Sequence, residues 1–558
     1  MTNPIVNINI SQQVASAPSL LQQTGAIVTQ GGTNTSPGTQ TLLTQLSDYT
    51  PLIPSPHSIT SGSLSSGLIT LTVPAHGLPV GDIVTISVAG CTPGAFNGTY
   101  LATANTVSTL QYYTTTPLSG FGGSSVITTP GVWTVEDVAE TLQQVTTFFS
   151  QGTNVSTYLL ELGQGGATDG VALLNTWISL NPGKVYSYLV PRTWDGNAAF
   201  LAFLPQFENT TSQTYFWVTT TLATWANYTP AMKCVNALIE APAIGQWGAS
   251  AIVSATASNS ADYSGYNVTL TFAAPHGVAV GQWFTISGMV PTAYNGTFQS
   301  IFDNVIGAST TLLYNVPTNP GAETTLGTLQ ASYFASAAIP STEFSQAAPF
   351  WKSLSYNPSS TNKVAPFGRS FVTGVTAFPD HGMDAIRTAL KAAGISVIGT
   401  GAAGNISNTL LLWGNMLGGR PFNYWYSVDY AAINLKIALS AAIINGSNNP
   451  GNPLYNNQAG ITALQGVAAS VMSSMTTFGL ALGSVIQTKL NGADFAAALA
   501  VNKFAGNIGV NAVPFADYYA ANPSHYALGI YNGYSVTYSP LRGFDGVTVN
   551  LSVTDFVG

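Results

Sequence analysis

Residues 70–100, TLTVPAHGLPVGDIVTISVAGCTPGAFNGTY, and residues 270–298, LTFAAPHGVAVGQWFTISGMVPTAYNGTF, are two copies of one pattern. His76, Gly77, Val80, Gly81, Thr85, Ile86 and Ser87 recur as His276, Gly277, Val280, Gly281, Thr285, Ile286 and Ser287. After a two-residue difference, Asn97-Gly98-Thr99-Tyr100 recurs as Asn295-Gly296-Thr297-Phe298. So many matches in one register mark an internal duplication, and whatever the chain folds into must contain one structural unit twice. β-Branched residues alternate along each copy, and His-Gly, Val-Gly and Asn-Gly steps punctuate it, which predicts an antiparallel β-module. We place the modules at 60–128 and 250–333. A single histidine with at most one nearby acid (Asp82, replaced by Gln282) falls short of the three or four ligands of a zinc site, so each histidine is expected in a turn. The Asn-Gly-Thr triplets also match a glycosylation sequon, and we read them as tight turns.

Outside the copies, helical and strand periods alternate. Thr134-Val-Glu-Asp137 reads as a capping box before Val135, Val138, Leu142, Val145 and Phe149 at helical spacing. A strand is expected at 158–162, a helix near 168–180, and strands at 185–190 and 215–218. Asp380 can cap a helix carrying Met383, Ile386 and Leu390, Gly394 suits its C-terminal cap, and strand 395–398 follows. Ile461, Leu464, Ala468, Val471 and Met472 form another apolar helical face. The pattern predicts an α/β (α+β) multidomain frame with two inserted all-β modules and extended terminal β-arms. Its parts are an N-terminal arm (1–20), an α/β domain (21–59 and 129–249), the two modules, a C-terminal α/β core (334–537) and a C-terminal arm (538–558).

Composition narrows the function. Only 6% of the 558 residues are charged, against about 25% in an average soluble domain, and no Lys or Arg precedes Lys184. An isolated monomer normally keeps a mixed-charge surface, so such a chain is expected to bury its surface against copies of itself. A net charge of −8 without a basic block argues against nucleic-acid binding. Two cysteines, Cys91 and Cys234, are expected as free thiols. The first residues lack a secretory signal pattern, and no apolar run is expected to reach the ~18 residues that span a bilayer, so no membrane insertion is expected.

At the two ends the period is two. Val6, Ile8 and Ile10 alternate with asparagines, and Val547, Val549, Leu551 and Val553 alternate with polar residues. Leashes rich in Ser, Gln, Gly and Pro separate both from the body. A lone strand must find a sheet edge, so we expect these seven residues to pair between subunits. With PIVNINISQQVASAPSLLQQTGAIVTQGG at the start, the Thr-Phe-Phe-Ser-Gln-Gly step at 147–152, Arg-Pro-Phe-Asn-Tyr-Trp at 420–425 and the helix after 457–461, the frame resembles contractile-tail sheath proteins of tailed phages. The resemblance leaves out the β-modules. It implies a structural, non-enzymatic subunit that polymerises helically with itself around a tail tube protein, meets baseplate and tail terminator proteins, and contracts during genome delivery. It further implies assembly in the host cytoplasm and a place in the virion tail, with arms completing strands in neighbouring subunits. The scarcity of charge leaves the interface charge pairs of many sheaths without counterparts. The alternative is a surface adhesin or receptor-binding virion component whose β-modules grip glycans.

Catalytic motifs are scarce. Gly399-Thr-Gly401-Ala-Ala-Gly404 matches GxGxxG after an apolar strand. The acid expected ~20 residues later is missing, since none stands between Asp384 and Asp429, and we expect a strand-exit loop that binds no cofactor. No P-loop, GxSxG or HExxH motif is present, and no nucleophile accompanies Asp380-His381.

Overall fold

The computed structural model describes residues 21–544 apart from 55–56, 66, 114–123, 164–165, 210–211, 222–223, 229–231, 241–249, 261–264, 274–275, 277, 279–282, 302–309, 331–342, 379–383 and 404–405. Helices and several multi-strand sheets are both present, as a mixed α/β multidomain chain requires. Among the described residues, a larger compact unit holds 23–356, 366–422 and 544, and a smaller one holds 21–22, 357–365 and 423–543. This division departs from the expected 334–537 domain, because residues 366–422 add strands to the larger unit's sheet.

That sheet has eight strands, in the order Gln40–Leu43, Thr157–Glu161, Gly25–Thr29, Ser187–Leu189, Tyr215–Thr220, Val235–Ile239, Ser396–Ala403 and Ile406–Leu412. Its inner pairings are parallel, and the first and last pairs are antiparallel. Gly25–Thr29, Tyr215–Thr220 and Val235–Ile239 are buried at every position, as strands covered on both faces must be. Neighbouring residues show how both faces fill. Phe216 packs among Tyr188, Phe200, Phe203 and Phe207, while Trp217 packs among Phe350, Phe367 and Phe422.

The duplicated segments build two separate antiparallel sheets, of eight and six strands. The first runs from His57–Ser58 to Val132–Val135, wider than 60–128 on both sides. Thr134 consequently lies in a strand opposite Ser87, and the expected capping box does not form. The helix starts at Asp137 after Glu136, with no side-chain cap. The two copies brace their turns in the same way. His76 Nδ1 accepts from Leu78 N (3.1 Å) while Nε2 meets Thr106 O (2.7 Å); His276 does the same with Val278 N (3.0 Å) and Thr311 O (3.0 Å). With Nδ1 accepting, the proton sits on Nε2, and each imidazole is a neutral turn brace with both nitrogens engaged. Asn97 clamps Cys91 N and O, and Asn295 clamps Met289 N and O, at 2.8–2.9 Å. The asparagine amides therefore belong to the turns. The glycines after them need this too, with φ of +146° and +150°.

In the smaller unit, the Gln458–Thr477 helix lies on a three-stranded sheet ordered Val485–Thr488, Ile508–Ala512, Tyr534–Thr537. Asn457 caps the helix through Gly460 N. Ile461, Ala468 and Met472 are buried as the stripe predicted, and Leu464 and Val471 are half-buried. The Phe422–Asn448 helix is long and apolar enough, by length and composition alone, to cross a membrane. The expectation that no apolar run reaches this length overlooks the helix, whose sequence Asp429 and Lys436 interrupt. Gln22 Nε2 donates to its Tyr426 O (2.9 Å) and Ser427 Oγ to Leu480 O (2.9 Å), so its first turns are tied into protein.

Candidate assembly surface

Among the described residues the small sheet has two open edges, as the larger sheets do at their own outer strands. Its middle strand, Ile508–Ala512, is buried throughout and pairs in parallel with Val485–Thr488 and antiparallel with Tyr534–Thr537. Gln465, from the helix above, donates to Thr488 O (2.8 Å) and Val510 O (2.9 Å), pinning helix to sheet at a buried polar contact. Asn511 closes the next turn by accepting from Leu490 N and Thr488 Oγ1 and donating to Leu490 O. Among the described residues neither outer strand has a further partner. Ile508 N–H bonds Ser484 O, and in that parallel register Ile486 turns its N–H inward while Val485 and Gln487 turn theirs outward.

The smaller unit also exposes large apolar side chains. Leu482, Ile486, Leu499, Val501, Tyr526, Leu528 and Ile530 are all exposed, Val501 by 74%. A groove of about 460 Å³ runs beside Leu439, Ile443, Leu454, Tyr455, Leu464 and Tyr531. Open strand edges bind extended segments by adding a strand. The seven residues expected to supply such segments, Val6, Ile8, Ile10, Val547, Val549, Leu551 and Val553, lie outside the described residues.

The scarce charges gather elsewhere, at the carboxyl ends of the large sheet's parallel strands. Arg192 follows Ser187–Leu189 and grips Glu240 through two bonds of 2.8 Å. It also donates to Gln143 Oε1 (2.7 Å) and Glu343 O (2.7 Å), its backbone N donates to Glu140 Oε1 (2.8 Å), and its guanidinium stacks on Phe344 at 4.4 Å. Burial pushes the Glu240 carboxyl up and the guanidinium pulls it back, with burial the stronger. Nearby, Asp195 accepts from Thr224 and Tyr228. Sequence reasoning missed this cluster because its members lie up to 203 positions apart, Glu140 to Glu343, with no motif spacing. Its polar groups are satisfied by one another, an arrangement that holds strands in place.

Among the described residues no three of His, Cys, Asp and Glu converge as a metal would need. Cys91 and Cys234 are free and buried, and burial pushes both thiols up, which keeps them unreactive. The glycine motif is not a strand-exit loop. Gly399 and Gly401 lie inside Ser396–Ala403, which turns back antiparallel onto Ile406–Leu412. A hairpin leads there, where a dinucleotide site needs a helix N-terminus.

No protein-family model matches the sequence, and no curated relative matches it. Among solved structures, the chain is similar to the sheath tail protein Lin1278 from Listeria innocua, with 10% identity, 82% of this chain and 85% of that chain covered, and a TM-score of 0.31.

Proposed function

We propose that the chain is a structural subunit of a contractile tail sheath that polymerises helically around a tail tube. The observation that carries the reading is the three-stranded sheet, open at both edges among the described residues, in a unit that exposes several large apolar side chains. The chain also possesses two period-two segments, 6–10 and 547–553, of the kind an open edge accepts. With 6% charged residues, little on its surface opposes self-association. Strand donation from one subunit to the next is head-to-tail, so it propagates into a helix instead of closing as a dimer. Leashed arms let subunits slide between an extended and a contracted lattice while staying joined, and the free-energy difference then lies in the interfaces. In this reading the two duplicated sheets are insertions on the outside. The partners are the tube, baseplate and tail terminator proteins, and the location is the virion tail after assembly in the host cytoplasm.

Negative-stain microscopy of the purified chain tests it. Tubes or stacked rings are expected, and Pro at Ile8 or at Val549 should abolish them while leaving monomer unfolding nearly unchanged. Discrete monomers or trimers that bind glycans would favour the adhesin instead.

A further inference from the structure

Among the described residues, the larger unit buries a carboxyl group that has no hydrogen-bond partner. Asp82, in the turn before strand Ile83–Ala89 of the first duplicated sheet, is completely buried, and neither carboxyl oxygen has a hydrogen-bond partner. It lies where that sheet meets the parallel one. Ile83 N–H bonds Gly163 O (3.0 Å), a backbone bond that fastens the sheet to the segment leaving the parallel one. Gly163 is the pivot. A methyl placed on it would stand 2.9 Å from Asp82 Oδ1 and 2.3 Å from Pro37 Cγ, so only glycine admits the approach, and its φ of +71° asks for glycine as well.

On the other side of Gly163 is a second carboxyl. Glu161, at the end of strand Thr157–Glu161, is fully buried, with Oε1 accepting from Gly163 N (2.8 Å) and Oε2 from Thr33 N (3.2 Å) and Thr33 Oγ1 (2.5 Å). Three donors suit Glu161 to carry the negative charge, and none is available to Asp82. Among the described residues neither acid forms an ion pair. The other titratable groups nearby are the Tyr49 phenol, whose hydroxyl donates to Val138 O, and His76 in the same duplicated sheet, whose ring nitrogens are engaged by Thr106 and Leu78.

We propose that Asp82 and Glu161 form a proton-dependent latch that holds the first duplicated sheet on the parallel sheet when Asp82 is protonated and loosens it when both carboxyls ionise. Burial raises both groups to about 7, with the Asp82 charge adding to the rise at Glu161. The sign follows. Groups raised in the docked state favour docking most at pH values below their free carboxylate range. The advantage then falls as pH climbs toward 7 and is flat above. The second copy has Gln282 at the matching position and lacks the device.

Hydrogen exchange on the full chain tests this through the Ile83 amide, corrected for the intrinsic pH dependence of exchange. Protection there should fall about tenfold per pH unit for one group between pH 5 and 7, then level off. The Ile252 amide, bonded to Gly327 O in the second copy, should stay flat. Asp82→Asn combined with Glu161→Gln should remove the slope. If the buried amide at 82 itself prevents docking, Asp82→Ala with Glu161→Gln, which leaves no polar group at 82, should remove it too. Equal protection at Ile83 across this range in the unaltered chain would overturn the latch, as would a slope that survives in both variants.

Discussion

Arg192 shows how a charge-poor chain uses a single cation. It binds Glu240 just before the second duplicated sheet begins, Glu343 just after that segment returns, and Glu140 on the helix that follows the first. Removing one member of a buried ion pair leaves the other uncompensated, which costs more than the pair was worth. Arg192→Ala should therefore destabilise the larger unit by about 3–5 kcal/mol. Denaturant unfolding followed by the fluorescence of buried Trp194 and Trp217 would measure it. Combining Arg192→Met with Glu240→Gln should recover part of the loss, because no lone charge then remains buried. Equal losses in the single and double variants would show that packing against Phe344, and not charge, is what Arg192 supplies.

At the scale of elements, the small sheet's edge gives a sharper test than the terminal segments. Proline removes an N–H, and Gln487 N–H points away from the ladder, so Gln487→Pro spares the pairing with Ile508–Ala512. We expect this variant to unfold within about 1 kcal/mol of the unaltered chain and to form no tubes. Normal tubes would mean that this edge accepts nothing. Ile486→Pro, one residue earlier, removes an inward N–H and should destabilise the unit itself, which separates a blocked edge from a broken sheet. The neighbouring helix Gln458–Thr477 could be read in advance because its cap and stripe are local. The Gly399–Ala403 stretch could not, because strand continuation there depends on pairing with Ile406–Leu412.

For the whole molecule, the entry and return of the second duplicated segment matter most. Ser345 N donates to Glu240 Oε1 (3.3 Å), so the chain comes back close to where it left. A segment whose ends already meet can be removed at little loop-closure cost. Deleting 250–333 with a short linker should leave a soluble chain whose remaining unit melts within a few degrees of its former midpoint and still assembles. Collapse of the parallel sheet on deletion, seen by calorimetry, would show that the second sheet is part of the core.

The sequence by itself determined what is local or repeated. The duplication, its turns at His76 and Asn97, the Asn457-capped helix and the buried strand at 215–218 all follow from residues within a few positions of one another. Tertiary structure decided what depends on distant partners. Thr134 joined a strand because Ser87 stood opposite, and residues 366–422 joined the larger unit because Val235–Ile239 offered an edge to Ser396–Ala403. Asp82 and Glu161 met only because Gly163 lets two sheets close on each other. Hydrogen-bond caps and alternation act over one or two turns of chain and are written in the sequence. Strand pairing and buried charge act across hundreds of residues, and folding alone brings those groups together.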